Sequence, residues 1–338
     1  MKWYTSSAAD GVVLSTRVRL ARNLAKYPFS VKLGEKQRAL MLQDVRCAFE
    51  KYGTDRYNFV DMTNKTCAER NAMVEEHIIS PEFAGKPESE KRILIYDENG
   101  SVSVMAGEED HLRIQAVRPG FAVEEAYAAA DRVDDMLGKG LEFAFDEKYG
   151  YLTGCLSNTG SGMRISCMLH LPMLTRNNYM KSVMEFCSRL GLTVRGFYGE
   201  GSNADGEIYQ ISNQITLGIS DEETIAKLKE AVNAIVEKEK SLRETLKKSG
   251  ISVQDKLWRS YGILTNARTI GSTEFLSLWS DCMLGKNCGI IDVVRDKNMV
   301  QLLIESMPAH IIQTDENAND ARVRDELRAN RIREYLKA

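Results

Sequence analysis

Strand signals run through the first two thirds of this 338-residue chain and stop at Leu217. Alternating or β-branched segments predict strands at 11–23, 92–98, 101–106, 111–118, 163–171, 192–198 and 208–217, with a further pair at 141–145 and 149–152. Helical periodicity fills 35–53, 65–78, 122–137 (closed by Gly138 and Gly140) and 173–190. Ser220-Asp-Glu-Glu223 is a capping box that opens a charged helix to about 248, ended by Gly250, and everything beyond reads as helix. Strands mixed with helices, then helices alone, predict an α+β domain followed by an all-helical one. The expected division is 1–230 and 231–338.

The densest chemistry lies in one hairpin. Asn99-Gly100 is a two-residue turn signal between Arg92–Glu98 and Ser101–Met105. The second strand then runs into Glu108, Glu109, Asp110, His111 and Arg113. Consecutive carboxylates at the end of a buried strand repel unless a cation sits among them. Taken alone, such a run is a solvated acidic loop; the rest of the chain argues otherwise.

Composition narrows the classes. A net charge of −3 provides no broad basic face for nucleic acid. No apolar run approaches the roughly 18 residues of a membrane span, and the N-terminus has no apolar signal-peptide region. Seven cysteines without a CxxC pair, and four histidines, form neither a disulfide framework nor a zinc site. No protein-held metal is expected, and the expected compartment is the cytoplasm.

Arg17, Arg19, Arg113, Arg164 and Arg195 stand at strand ends or beside glycine-rich loops. Each alone is an ordinary surface residue, but five in such settings suggest convergence on one polyanion, with a nucleoside triphosphate the obvious candidate. No Walker-type P-loop or protein-kinase signature is present, so arginines would grip the phosphates. Glu109 and Glu200 sit in comparable loops. If the nucleophile is a guanidinium, it must be held in line and lose a proton, and two carboxylates can do both. Cys155 precedes the glycine-rich loop 156–162, where a thiol near donors can become a thiolate, although most cysteines are inert.

Leu14–Arg19, Gly107–Arg113, Cys155–Arg164 and Arg195–Glu200 resemble, in order, the motifs of the ATP:guanidino phosphotransferases, the creatine and arginine kinases. The resemblance covers about 11–218 and implies a catalytic domain with an antiparallel sheet flanked by helices. It implies that the five arginines hold ATP, that Glu109 is the base with Glu200 its partner, and that Cys155 lies beside the guanidinium. Gly107 and Leu156 depart from the family's asparagine and proline. The small-substrate kinases carry a helical domain before the first arginine motif; here that motif begins at residue 14, which favours an open cleft.

Arg195–Ser202, Ile208–Gly218 and Arg324-Asp-Glu-Leu-Arg-Ala329 resemble the bacterial protein-arginine kinases of that family. This branch implies Mg²⁺-dependent phosphorylation of exposed arginines in proteins. It also implies a second, phosphoarginine-binding pocket at Arg324, Asp325 and Arg328, and a homodimer. Implied partners are a zinc-binding activator, a Clp ATPase to which the mark directs proteins, and a heat-shock repressor. Two other readings are a kinase for free arginine or another small guanidino compound, and a non-catalytic phosphoarginine-binding adaptor. The early first motif argues against the former, and the intact glutamates and arginines against the latter.

Overall fold

The computed structural model describes residues 2–6, 11–53, 56–197, 204–248 and 250–337. The strands are β1 (Val13–Arg22), β2 (Tyr57–Asp61), β3 (Ile93–Asp97), β4 (Val102–Ala106), β5 (Leu112–Pro119), β6 (Phe145–Asp146), β7 (Gly150–Tyr151), β8 (Met163–His170), β9 (Leu192–Gly196) and β10 (Ile208–Asn213). The first six helices are α1 (Glu35–Tyr52), α2 (Cys67–Glu75), α3 (Pro81–Gly85), α4 (Val123–Gly138), α5 (Pro172–Arg176) and α6 (Met180–Arg189). The remainder are α7 (Asp221–Lys247), α8 (Ile251–Asn266), α9 (Ser272–Asn287), α10 (Met299–Glu305), α11 (Pro308–Ile312) and α12 (Ala321–Lys337). Eight strands hydrogen-bond in the order β2-β3-β4-β5-β1-β8-β10-β9, and β6 pairs with β7. The β2–β3, β3–β4 and β4–β5 ladders are antiparallel. This is the expected α+β fold, an antiparallel sheet flanked by helices, and no strand follows β10 among the described residues.

Chain contacts define two compact units, one of Met1–Trp3, Thr16–Ser166 and Ser212–Lys229, the other of Tyr4–Ser15, Cys167–Ile211 and Glu230–Ala338. In the first, α1 buries Met41, Leu42, Val45 and Phe49, and the Phe49 ring meets Tyr57 edge-on at 4.8 Å. Met62, Ile79, Phe83, Leu94 and Met105 form another apolar cluster. Each such side chain contributes about 1.5–3 kcal/mol by leaving water. Arg22 ties β1 to α4: Nε and Nη2 both donate to the Asp134 carboxylate, and the guanidinium lies 3.5 Å from the Tyr151 ring centroid.

Several local details differ from the sequence expectation. The hairpin between β3 and β4 is real, but its turn is Asp97-Glu98-Asn99-Gly100, closed by Gly100 N–H donating to Asp97 O. Only Gly100 is left-handed (φ 64°), and the Asp97 carboxylate accepts from Ser101 N–H and Oγ–H, so the loop is longer than two residues. β2 is a short edge strand that helical and hairpin signals on either side overshadowed. The expected helix at 173–190 breaks into α5 and α6 at Asn178, which is left-handed at φ 60°. Gly140 has no left-handed φ; a Cβ there would stand 2.6 Å from the Tyr52 ring, so close packing requires it.

In the second unit, α9 is buried along most of its length, from Phe275 to Gly285 except Ser277. A helix apolar on all sides belongs inside a bundle. Trp279, fully buried, donates its indole N–H to Met299 O at 2.6 Å. Glu239 of α7 accepts from Met173 N–H and Leu174 N–H and so caps α5.

Candidate active site

The acidic turn between β4 and β5 is closed by Gly107 N–H donating to His111 O at 2.9 Å. Its three carboxylates have three different fates. Glu108 is fully buried; Oε1 lies 2.6 Å from Arg113 Nη1 and accepts from Ser80 Oγ–H, while Oε2 accepts from Glu109 N–H. Asp110 is also buried, and one oxygen accepts from Asn23 Nδ2–H and Gly154 N–H, each at 2.6 Å. Glu109 keeps a side chain 48% exposed, with Oε2 3.4 Å from Arg113 Nη2. So Arg113 is the cation that the charge run requires, and Glu109 is the carboxylate left available. Burial raises the Glu109 pKa first; Arg113 opposes that, and Asp110 and Glu108 reinforce it.

His111 is structural. Its Nδ1 accepts from Leu24 N–H, so Nε2 carries the proton and donates to Pro28 O at 2.9 Å. Burial lowers its pKa and keeps it neutral. Its own N–H donates to Asn23 Oδ1, so Asn23 and Asp110 together tie the end of β1, the acidic turn and the Cys155 loop. Asn23 was not foreseen; its place directly after the basic strand was the available signal.

Arg17 and Arg19 project from β1 at a spacing of two and share one face. The Arg17 pKa falls to about 10, through burial and then the charges of Arg164 and Arg113. The Arg19 pKa is also lowered well below its usual value, through burial and then Arg17, Arg113 and Arg164. Four guanidinium groups of this unit are therefore close enough to oppose one another's charge. Such a cluster is stabilised by a polyanion, which fits a triphosphate.

Arg164, the second residue of β8, is fixed from β10 and the segment after it. Asn213 accepts from Ile165 N–H at 2.8 Å and donates to Met163 O and Ile215 O, while Arg164 Nη2 donates to Ser212 Oγ at 3.3 Å. Beyond Asn213, Thr216 Oγ–H is shared between Thr159 O and Ser157 O. Gly160 (φ 120°) lies so close that a Cβ would meet Thr216 O at 2.1 Å. The glycine there serves backbone-to-backbone contact, and Cys155 Sγ lies 3.0 Å from Ser157 Oγ on the segment so held. Ser212, Asn213 and Thr216 were missed because the sequence reads 208–217 as one uninterrupted strand.

Arg195 lies on β9 in the second unit. Glu200 lies outside the described residues. In the same unit Arg328 is fully buried: Nε donates to Ser306 O at 3.0 Å, and Nη1 to Ile270 O at 2.7 Å and Asp325 Oδ1 at 2.5 Å. Arg324 reaches only toward Ala318 O and Asn319 O, at 3.4 and 3.5 Å. Arg328→Ala leaves buried carbonyls unsatisfied and should cost about 3 kcal/mol. A thermal scan should show a midpoint lower by roughly 5–10 °C; an unchanged midpoint would show that the guanidinium does not carry this region.

The sequence of the ATP:guanido phosphotransferase C-terminal catalytic domain family matches residues 41–242, and that of the protein-arginine kinase McsB C-terminal domain matches 250–338. The chain belongs to the protein-arginine kinase branch of the ATP:guanido phosphotransferases. Curated relatives called protein-arginine kinase include proteins from Clostridium kluyveri (42% identical, 96% of this chain and 95% of the relative) and Syntrophomonas wolfei (41%, 99% and 94%). One from Bacillus cereus is 39% identical over 99% of this chain and 95% of its own length. Among solved structures, the duplicated taurocyamine kinase from Schistosoma mansoni with bound transition state analog components superposes with a TM-score of 0.62 and 26% identity, over 68% of this chain. The chain spans about a third of that duplicated protein (33%). Lombricine kinase, at TM-score 0.60 and 21% identity over 68% of this chain and 67% of its own, shares the fold. Among the described residues of this guanido phosphotransferase no helix is long and apolar enough to cross a membrane, and no three His, Cys, Asp or Glu side chains group to hold a metal.

Proposed function

We propose that this chain transfers the γ-phosphoryl group of ATP to arginine side chains of proteins. The observation that carries the reading is Glu109, half-exposed with a raised pKa, beside Arg113, which belongs with Arg17, Arg19 and Arg164 to one group of mutually opposed cations. The arginines, with Arg195, bind the phosphates and neutralise charge that develops on the transferred group. Glu109, with Glu200 as its partner, holds the substrate guanidinium and accepts its proton as nitrogen attacks phosphorus and the bond to ADP breaks. Cys155 lies beside the guanidinium and helps to position it. Mg²⁺ would come with the nucleotide, with few protein ligands, and would supply further charge neutralisation to the triphosphate that the arginines hold.

The catalytic part extends to about residue 230 and a helical part follows, which makes the homodimer and binds phosphoarginine at Arg324, Asp325 and Arg328. Because Arg328 is already engaged, Arg324 and the one-third-exposed Asp325 make the more accessible contacts there. A cytoplasmic setting, a zinc-binding activator, a Clp ATPase and a heat-shock repressor complete the proposal.

The test supplies ATP with either a disordered arginine-containing protein or free arginine. Products are read by mass spectrometry without acid, because the P–N bond is acid-labile. The protein is expected to react with kcat/KM at least about tenfold higher, since contacts remote from the guanidinium contribute binding energy. Equal rates on free arginine would favour a small-guanidino kinase.

A further inference from the structure

A cavity of about 690 Å³ opens beside Glu108 and Glu109, and α1 forms one wall of it. In that wall stands Arg38, only 8% exposed. Its Nη1 has no hydrogen-bond partner, and its Nη2 lies 3.7 Å from Glu90 Oε2, outside hydrogen-bonding reach. A Cβ on Gly107 would sit 3.5 Å from Nη1, so the guanidinium packs against the turn that presents Glu109. A buried cation with an unmade hydrogen bond is costly unless a ligand completes it.

The surroundings specify the ligand's charge. Glu108 and Glu109 are set against Arg113. The cavity's other ionic groups are then Lys36, Lys86 and Lys91 with Arg38, against Glu35 and Glu90. Glu90 is shared, lying 3.2 Å from Lys86 Nζ. Arg113 offsets only one of Glu108 and Glu109, so the five cations exceed the four carboxylates by one, and Arg38's planar fork suits a carboxylate.

We propose that this cavity receives the polypeptide next to the target arginine, with Arg38 binding the side-chain carboxylate of a nearby Asp or Glu. This rests on the protein-arginine reading above and adds sequence preference to it. The kinase then selects arginines with acidic neighbours, through a residue that touches the substrate but not the reacting atoms.

The test uses peptides with one arginine in a Gly/Ser/Ala background and Glu, Gln or Lys placed in turn at each of the flanking positions. Phosphorylation is followed at neutral pH. For wild type, Glu should exceed Gln in kcat/KM by about tenfold at one or more positions, the scale of one charge-assisted hydrogen bond, and Lys should be the poorest. In Arg38→Gln the Glu-to-Gln ratio should fall to about one. Should that buried variant fold poorly, the surface change Glu90→Gln removes the competing carboxylate and should widen the ratio. A wild-type enzyme indifferent to flanking charge, a preference that survives in Arg38→Gln, or a ratio that narrows in Glu90→Gln each overturns the subsite. Those outcomes leave peptide phosphorylation intact. If no peptide reacts while free arginine does, the protein-arginine reading falls, and the subsite with it.

Discussion

Glu109→Gln is expected to lower kcat at least about 100-fold while ATP binding is kept. Glutamine preserves size and polarity but cannot take the proton. Local charges make the pH dependence a second readout. A base works when ionised, so kcat/KM should rise with pH through the Glu109 pKa. Burial, Asp110 and Glu108 raise that pKa, so the acid limb should lie above the value of an exposed glutamate, about 4.3. The limb should vanish in Glu109→Gln. Glu108→Gln removes one raising charge and frees Arg113 to face Glu109, so it should move the limb to lower pH. The stability sign runs the other way. A carboxyl whose folded pKa is raised helps folding only below its unfolded pKa, and that help is lost as pH rises through the folded pKa. At neutral pH the ionised Glu109 is a load on the fold, so glutamine should hold or raise the thermal midpoint. Near-wild-type turnover in Glu109→Gln, or turnover lost in step with a falling midpoint, would remove Glu109 from the proton transfer.

Sequence pattern located this turn because its ingredients are local. Alternation set β4, and five polar residues in six positions marked where it ended. Pattern could not divide the labour among the three carboxylates. Glu108 and Asp110 are consumed by Ser80, Asn23 and Gly154, which come from distant parts of the chain. The spacing of Arg324 and Arg328 showed that they share a helix face, but not that this face points inward at Arg328, where the carbonyls of Ile270 and Ser306 take up the guanidinium. Arg38 carried no signal: among the polar residues of α1 it looks solvated, yet it is buried and packs against the Gly107 turn. β10 ends at Asn213 and not at Leu217, because the Asn213 amide takes over hydrogen bonds that a longer strand would make with its backbone. The break at Asn178 has its own cause: that residue is left-handed (φ 60°), a conformation asparagine tolerates and hydrophobic periodicity does not register.

Arg164→Ala should reduce kcat/KM by about 2–4 kcal/mol, the loss seen when one donor to a developing negative charge is removed. Lysine should restore little, because it lacks the planar fork and cannot hold two phosphate oxygens at once. Two effects of alanine on stability oppose each other. It loses the contacts of a half-buried side chain, among them a 3.3 Å hydrogen bond to Ser212. It also relieves repulsion on Arg17 and Arg19, whose pKa values Arg164 helps to depress. The repulsion acts on two cations, so its relief should offset those losses, and the variant without nucleotide should be about as stable as wild type. Nucleotide should then stabilise it less, because binding energy from that guanidinium is gone and the shift in midpoint follows the ligand's affinity. The expected pattern is thus a nearly unchanged midpoint alone, a smaller rise with ATP, and a large loss of turnover. A structural role for Arg164 changes the first result: the midpoint falls without nucleotide, the rise with ATP is kept, and lysine, which fills the same space, recovers most of the activity.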